Sequence, residues 1–200
     1  RTMDSPQLGR AAVADLDAGF WRRYGGNRYA GYSSSAKPAL CIKTDSGMQV
    51  QMLVDVKTIP IVPDLGWDFS HARRLVQALE ALGQNRHALQ AFYDLPVQIL
   101  PPPELARDFA AQLVTKIWNG DVDHPLFANY WNGSNGWYRV EVDSGTRVCH
   151  AGYPPFGLSN SFPTGGYATW GAYYQVIDEL ARTIYMLADS TDANAVAFIR

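Results

Sequence analysis

The chain has 200 residues, 47% apolar and 12% aromatic, with 17 Lys and Arg against 19 Asp and Glu for a net charge of −2. That length accommodates one domain with a substantial core. Near-balanced charge argues against nucleic acid or an anionic membrane as main partner, because both need a basic face, and no apolar run approaches the ~20 residues that cross a bilayer.

Leu8, Ala12, Leu16, Phe20 and Tyr24 recur at intervals of four, and this drifting apolar stripe predicts a first helix over 6–24, ended by Gly25-Gly26. Residues 39–56 read as a hairpin turning through Asp45-Ser46-Gly47. Leu40, Ile42, Met48, Val50, Met52 and Val54 are its expected inward face, with Cys41 and Lys43 on the accessible one. Pro60 and Pro63 interrupt the chain before WDFSHARR, where Asp68 or Ser70 is the expected N-cap of a helix carrying Leu75, Val76, Leu79 and Leu82 and closed by Gly83. Beyond Pro101-Pro102-Pro103, Leu105, Phe109, Leu113 and Ile117 form the stripe of a helix over 104–118.

Residues 119–170 concentrate aromatic, Gly and Asn residues and include Trp131, Trp137 and Trp170. Such a composition suits neither an amphipathic helix nor a disordered linker. Within it, 136–151 reads as a second hairpin around Asp143-Ser144-Gly145. Tyr138, Val140 and Val142 are expected inward, and Trp137, Arg139 and Glu141 outward. A long helix over 169–189 presents Tyr173, Val176, Ile177, Leu180, Ile184 and Leu187 on one face. TDANAVAFIR then stops in mid-pattern, so the expectation is a single helical domain over 1–200 that is incomplete at its C-terminus. Cys41 and Cys149 allow one disulfide in an oxidising compartment or two reduced thiols in the cytoplasm.

These elements imply a mainly α fold, an antiparallel helical array with two small β-hairpins and no alternating strand–helix rhythm. At fold level, helices joined by loops rich in Trp, Tyr, Asn and Gly are similar to parts of the (α/α) barrels that many glycoside hydrolases and polysaccharide lyases use. No motif assigns the chain to a family, and the resemblance locates no catalytic residue.

Sugar rings offer apolar C–H faces to aromatic rings and hydroxyls to polar groups around the rim. Trp131, Trp137, Tyr167 and Trp170, with Asn129, Asn132, Asn135 and Arg139, are therefore the expected substrate-binding set. The competing view makes the rings core and the Asn residues turn formers. Asp68 and His71 could act as a carboxylate-oriented base with Arg73 or Arg74 holding an acidic group, or Asp68 could simply cap the helix. His124, His150, Asp121 and Asp123 lack the spacing of a zinc site, so no metal or other cofactor is expected. Thr164-Gly165-Gly166 lacks the lysine of a phosphate loop, and neither cysteine has the flanking signature of a thiol hydrolase.

The expected function is a carbohydrate-active enzyme that cleaves a glycosidic bond in a poly- or oligosaccharide. As a hydrolase it would use carboxylates, Asp68 first, then Glu141, with Asp123 in reserve. As a lyase it would use His71 or Tyr138 as base, with Asn135 and Arg139 neutralising a uronate. The alternative is a non-catalytic glycan- or protein-binding domain using the 127–170 surface. A periplasmic or secreted location is expected, any targeting peptide having been removed already or never having been present.

Overall fold

The computed structural model describes residues 1–16, 25–140 and 149–191. Its first element is a hairpin. β1 (Thr2–Ser5) pairs antiparallel with β2 (Gly9–Ala12), Thr2 opposite Ala12 and Ser5 opposite Gly9. This replaces the helix predicted from residue 6. Pro6-Gln7-Leu8 make a three-residue loop, which closes through Gly9 at φ 63°, the left-handed geometry that glycine accepts without strain. The Ser5 hydroxyl accepts from the Leu8 amide at 3.0 Å. The four-residue spacing of Leu8 and Ala12 is a coincidence, since Leu8, Ala11 and Val13 pack together with Ala111 and Tyr174. Residues 17–24 of the predicted helix lie outside the described residues.

The hairpin predicted over 39–56 is present; Val50, Met52 and Val54 lie on the core side as expected, while the first strand has its faces exchanged. β3 (Ala39–Thr44) pairs with β4 (Gly47–Met52), Cys41 opposite Val50 and Ala39 opposite Met52. Directly paired residues point to the same side. Ala39, Cys41, Val50 and Met52 therefore share a face, and this face packs toward Tyr29, Ile59, Trp137 and Val140. Leu40 and Ile42 face the other way, opposite Gln51 and Gln49. The two-residue turn sets this register, whereas alternation within a single strand cannot. Cys41 is joined to Cys149 by a disulfide, with Cα atoms 5.8 Å apart.

α1 (Phe69–Gln84) is capped by Asp68 and buries Phe69, Ala72 and Val76. It runs past Gly83, and α2 (Arg86–Tyr93) follows with no buried residue. α3 (Leu105–Gln112) continues as a π turn over Leu113–Ile117, and Phe109, Leu113 and Ile117 enter the core. α4 (Ser161–Thr164) is one turn. A 3-10 stretch (Tyr167–Ala172) precedes α5 (Gln175–Ala188), which buries Ile177, Leu180 and Ile184. Tyr173, expected in that buried stripe, lies between the two and is exposed.

The mainly α, antiparallel helical array, and with it part of an (α/α) barrel, is therefore corrected. Among the described residues, two separate two-stranded antiparallel sheets and long irregular loops stand beside the helices, and residues 9–12 of the segment predicted helical pair as a strand. Of the hairpin proposed over 136–151, Tyr138 forms a single antiparallel bridge, and its partner is Tyr153, beyond the proposed range. The turn of that hairpin, with Val142 and the Asp143-Ser144-Gly145 sequence, lies outside the described residues.

The centre of the molecule is a run of aromatic rings. Phe69 stacks on Tyr167 with centroids 4.6 Å apart and on Phe127 at 5.3 Å. Phe127 stacks in turn on Phe162 at 4.6 Å, and Trp131 meets Tyr167 and Trp170. The first residue of α1 is thus seated directly on the aromatic loops. Among the described residues, no helix is long and apolar enough to cross a membrane.

Candidate functional site

The start of α1 is pinned from both sides. The Phe69 amide donates to the Asn129 carbonyl at 2.8 Å, and the Trp131 amide to the Trp67 carbonyl at 2.6 Å. The Tyr167 hydroxyl donates to the Phe69 carbonyl at 2.8 Å. Asp68 sits between these ties, fully buried. Its carboxylate accepts from the Ser70 hydroxyl and from the His71 amide at 3.1 Å, and it lies 2.8 Å from His71 Nδ1. Burial alone would raise the Asp68 carboxyl, but hydrogen bonds from His71 and Ser70 and the nearby imidazole outweigh it and hold the group below its ordinary range. Asp68 is both the helix cap and the partner of a histidine, so the two expectations for it coexist.

Tyr138 closes the group. Its hydroxyl is 3.4 Å from His71 Nδ1. Burial, and then the negative charge of Asp68, push its phenol far above the usual value, with Arg139 opposing weakly. At neutral pH the hydroxyl therefore keeps its proton. The Arg139 guanidinium lies over the Tyr138 ring, 5.5 Å from its centroid. Arg139 has φ 54°, an unusual conformation for a residue with a side chain. This breaks the strand alternation and turns Arg139 outward, while Trp137 and Tyr138 are both buried.

His71 and Tyr138 open on a hollow of about 340 Å³, whose wall also includes Arg73, Arg74, Arg139 and Asn160. No carboxylate is among the described residues lining it. Three arginines thus line one cavity in a chain of net charge −2. An imidazole oriented by a carboxylate, a protonated phenol and several fixed positive charges can together exchange protons on a bound anion.

The structure brings together Asp68, His71, Tyr138 and Arg139, and places the other expected residues elsewhere. Trp131 and Tyr167 are 0% exposed, Trp170 1% and Trp137 3%, so these rings form core and line no groove. The Trp137 indole donates to the Ser34 carbonyl at 2.8 Å, satisfying its polar atom inside the protein. Asn129 is also fully buried. Its amide donates to the carbonyls of Gly136 and Pro154, and its oxygen accepts from the Leu158 amide. Asn135 accepts from the Phe156 amide at 2.8 Å, and Asn132 bonds the Asp64 carbonyl and the Ser134 amide. All three Asn residues hold loops in shape, which corrects their expected place at a ligand. Glu141 lies outside the described residues.

Sequence reasoning singled out Arg73 and Arg74 and missed Tyr153 and Asn160 in the same wall. Tyr153 reaches the site by pairing with Tyr138, each amide donating to the other's carbonyl. The Gly152-Tyr153-Pro154-Pro155 loop was the only sequence signal for it. Asp121 and His124 form an exposed pair at 3.6 Å, and no three potential metal ligands gather among the described residues. Comparison of the chain with known protein families, with curated proteins and with solved structures gives no match.

Proposed function

We propose that the protein cleaves glycosidic bonds in an acidic polysaccharide by β-elimination. The observation that supports this reading is the joint wall of His71, Tyr138 and three arginines around one hollow. With Nδ1–H donated to Asp68, the basic nitrogen of the neutral imidazole is Nε2. It takes the proton from the carbon next to the uronate carboxylate, and the C–H electron pair forms the new C=C bond. The C–O bond to the neighbouring sugar breaks, and the departing oxygen takes the Tyr138 proton. Both side chains then re-equilibrate with solvent, and no water is consumed. Arg139, with Arg73 and Arg74, offsets the charge that builds on the carboxylate as the proton leaves.

The raised phenol argues against Tyr138 as the base, because it keeps its proton at neutral pH, and so favours His71 in that role. Hydrolysis needs two carboxyl groups facing each other across the sugar, and has less support among the described residues, which do not include Glu141. Asp68 is buried beneath His71 and Ser70, and Asp123 lies in an exposed loop away from the hollow. An extracytoplasmic location belongs to the same proposal. The Cys41–Cys149 disulfide supports it, since such bonds persist in oxidising compartments.

The test incubates the protein with polygalacturonate, alginate and glucuronate polymers, following ultraviolet absorbance and reducing ends together. Elimination raises both, and His71→Ala and Tyr138→Phe each lower the rate by about 100-fold or more. Reducing ends without absorbance would mean hydrolysis. Binding without either would leave a non-catalytic glycan-binding domain.

A further inference from the structure

A second hollow of about 320 Å³ adjoins the first and shares Arg73, Arg74 and Thr164 with it. Gln77 and Gly165 complete its described lining. Ser70, Arg73, Arg74 and Gln77 follow one another at intervals of three and four along α1 and so lie on one helix face. From Ser70 to Gln77 that face advances about 10 Å. Gly165 lets the opposite wall come close, since a side-chain carbon there would sit 2.7 Å from Arg73 Cβ and 2.5 Å from the Ser161 carbonyl oxygen. Each hollow alone is near the lower end of small-ligand sites, roughly 300 Å³. The two hollows lie side by side along α1, with Arg73, Arg74 and Thr164 in the wall of both.

We propose that the second hollow is a subsite for a further acidic unit of the same chain, with Arg74 and Gln77 as its anchoring groups. The protein then selects oligomeric or polymeric uronates over single sugars. This rests on the first hollow holding a uronate unit of the proposed substrate. The arginines between the hollows can each meet a carboxylate from consecutive units, and Gln77 supplies an amide to a hydroxyl or carboxylate beyond them.

The variant that isolates this subsite is Gln77→Glu, which places a negative charge in the second hollow only. Calorimetric titration with tetramers and monomers of galacturonate, mannuronate and glucuronate reads it out. The parent protein binds at least one tetramer at least tenfold more tightly than its monomer, and Gln77→Glu removes most of that advantage while monomer affinity stays the same. Equal weakening of monomer and tetramer, no effect on either, or no binding of any tetramer to the parent overturns the subsite. Because binding is measured without turnover, tetramer selectivity in a protein that releases no unsaturated product would instead remove the cleavage reading and leave the subsite standing.

Discussion

Asp68 is held by the Ser70 hydroxyl, the His71 amide and the His71 ring at once, and its charge is both structural and chemical. Its carboxyl is lowered from an ordinary 3.8, so above that value the folded state binds no more protons than the unfolded one. The stabilisation is complete above the unfolded value and is lost as pH falls through the folded one. Asp68→Asn should therefore be less stable than the parent at pH 6, and the difference should shrink below about pH 4. Urea unfolding at both pH values checks this, and a difference that stays constant would contradict it. Tyr138→Phe keeps the ring that packs edge-on to Tyr130 and loses only the hydroxyl. It should fold normally by circular dichroism while losing turnover. The Asp68–His71 pair was legible because both residues lie within one turn of a helix start. Tyr138 meets His71 across 67 residues, and nothing local in the sequence announces that contact.

The aromatic loops act as an element in their own right, although few of their residues have regular structure. Asn129 ties three strands of loop together through both ends of its amide. Asn129→Ala would leave two carbonyls and an amide without those partners in the interior and should cost about 2–3 kcal/mol in chemical unfolding. Tyr167→Phe removes one buried bond to the Phe69 carbonyl and should cost about 1 kcal/mol. Neither loss is expected to be recovered by adding sugar, because neither side chain lines the hollow. Helix stripes such as Leu105, Phe109, Leu113 and Ile117 were readable because one face of a continuous helix meets the core. The Trp residues were not, since an indole in a groove and an indole in a core leave the same letter in the sequence. The first hairpin was hidden for a related reason. Gly9 takes a left-handed turn conformation, but a longer-range apolar spacing suggested a helix through the same residues.

At the scale of the molecule, charge is sorted: the chain is slightly acidic overall, yet Arg73, Arg74 and Arg139 line one cavity. Acidic-chain binding should weaken as salt is raised, because Arg73, Arg74 and Arg139 are exposed and exposed charges are readily screened. The disulfide closes a loop with a sequence separation of 108, tying the β3–β4 hairpin to the segment that leads to Tyr153. Its reduction should lower stability by about 2–4 kcal/mol, seen as an earlier thermal transition in reductant. The central claim is that the hollow removes a proton and expels a sugar without adding water. Mass spectrometry of fragments released from a defined uronate oligosaccharide tests it most directly. The fragments should sum to the mass of the intact chain, with the new non-reducing end one water lighter than a saturated sugar, and Tyr138→Phe should abolish them. Fragments that together weigh one water more than the parent chain would contradict it.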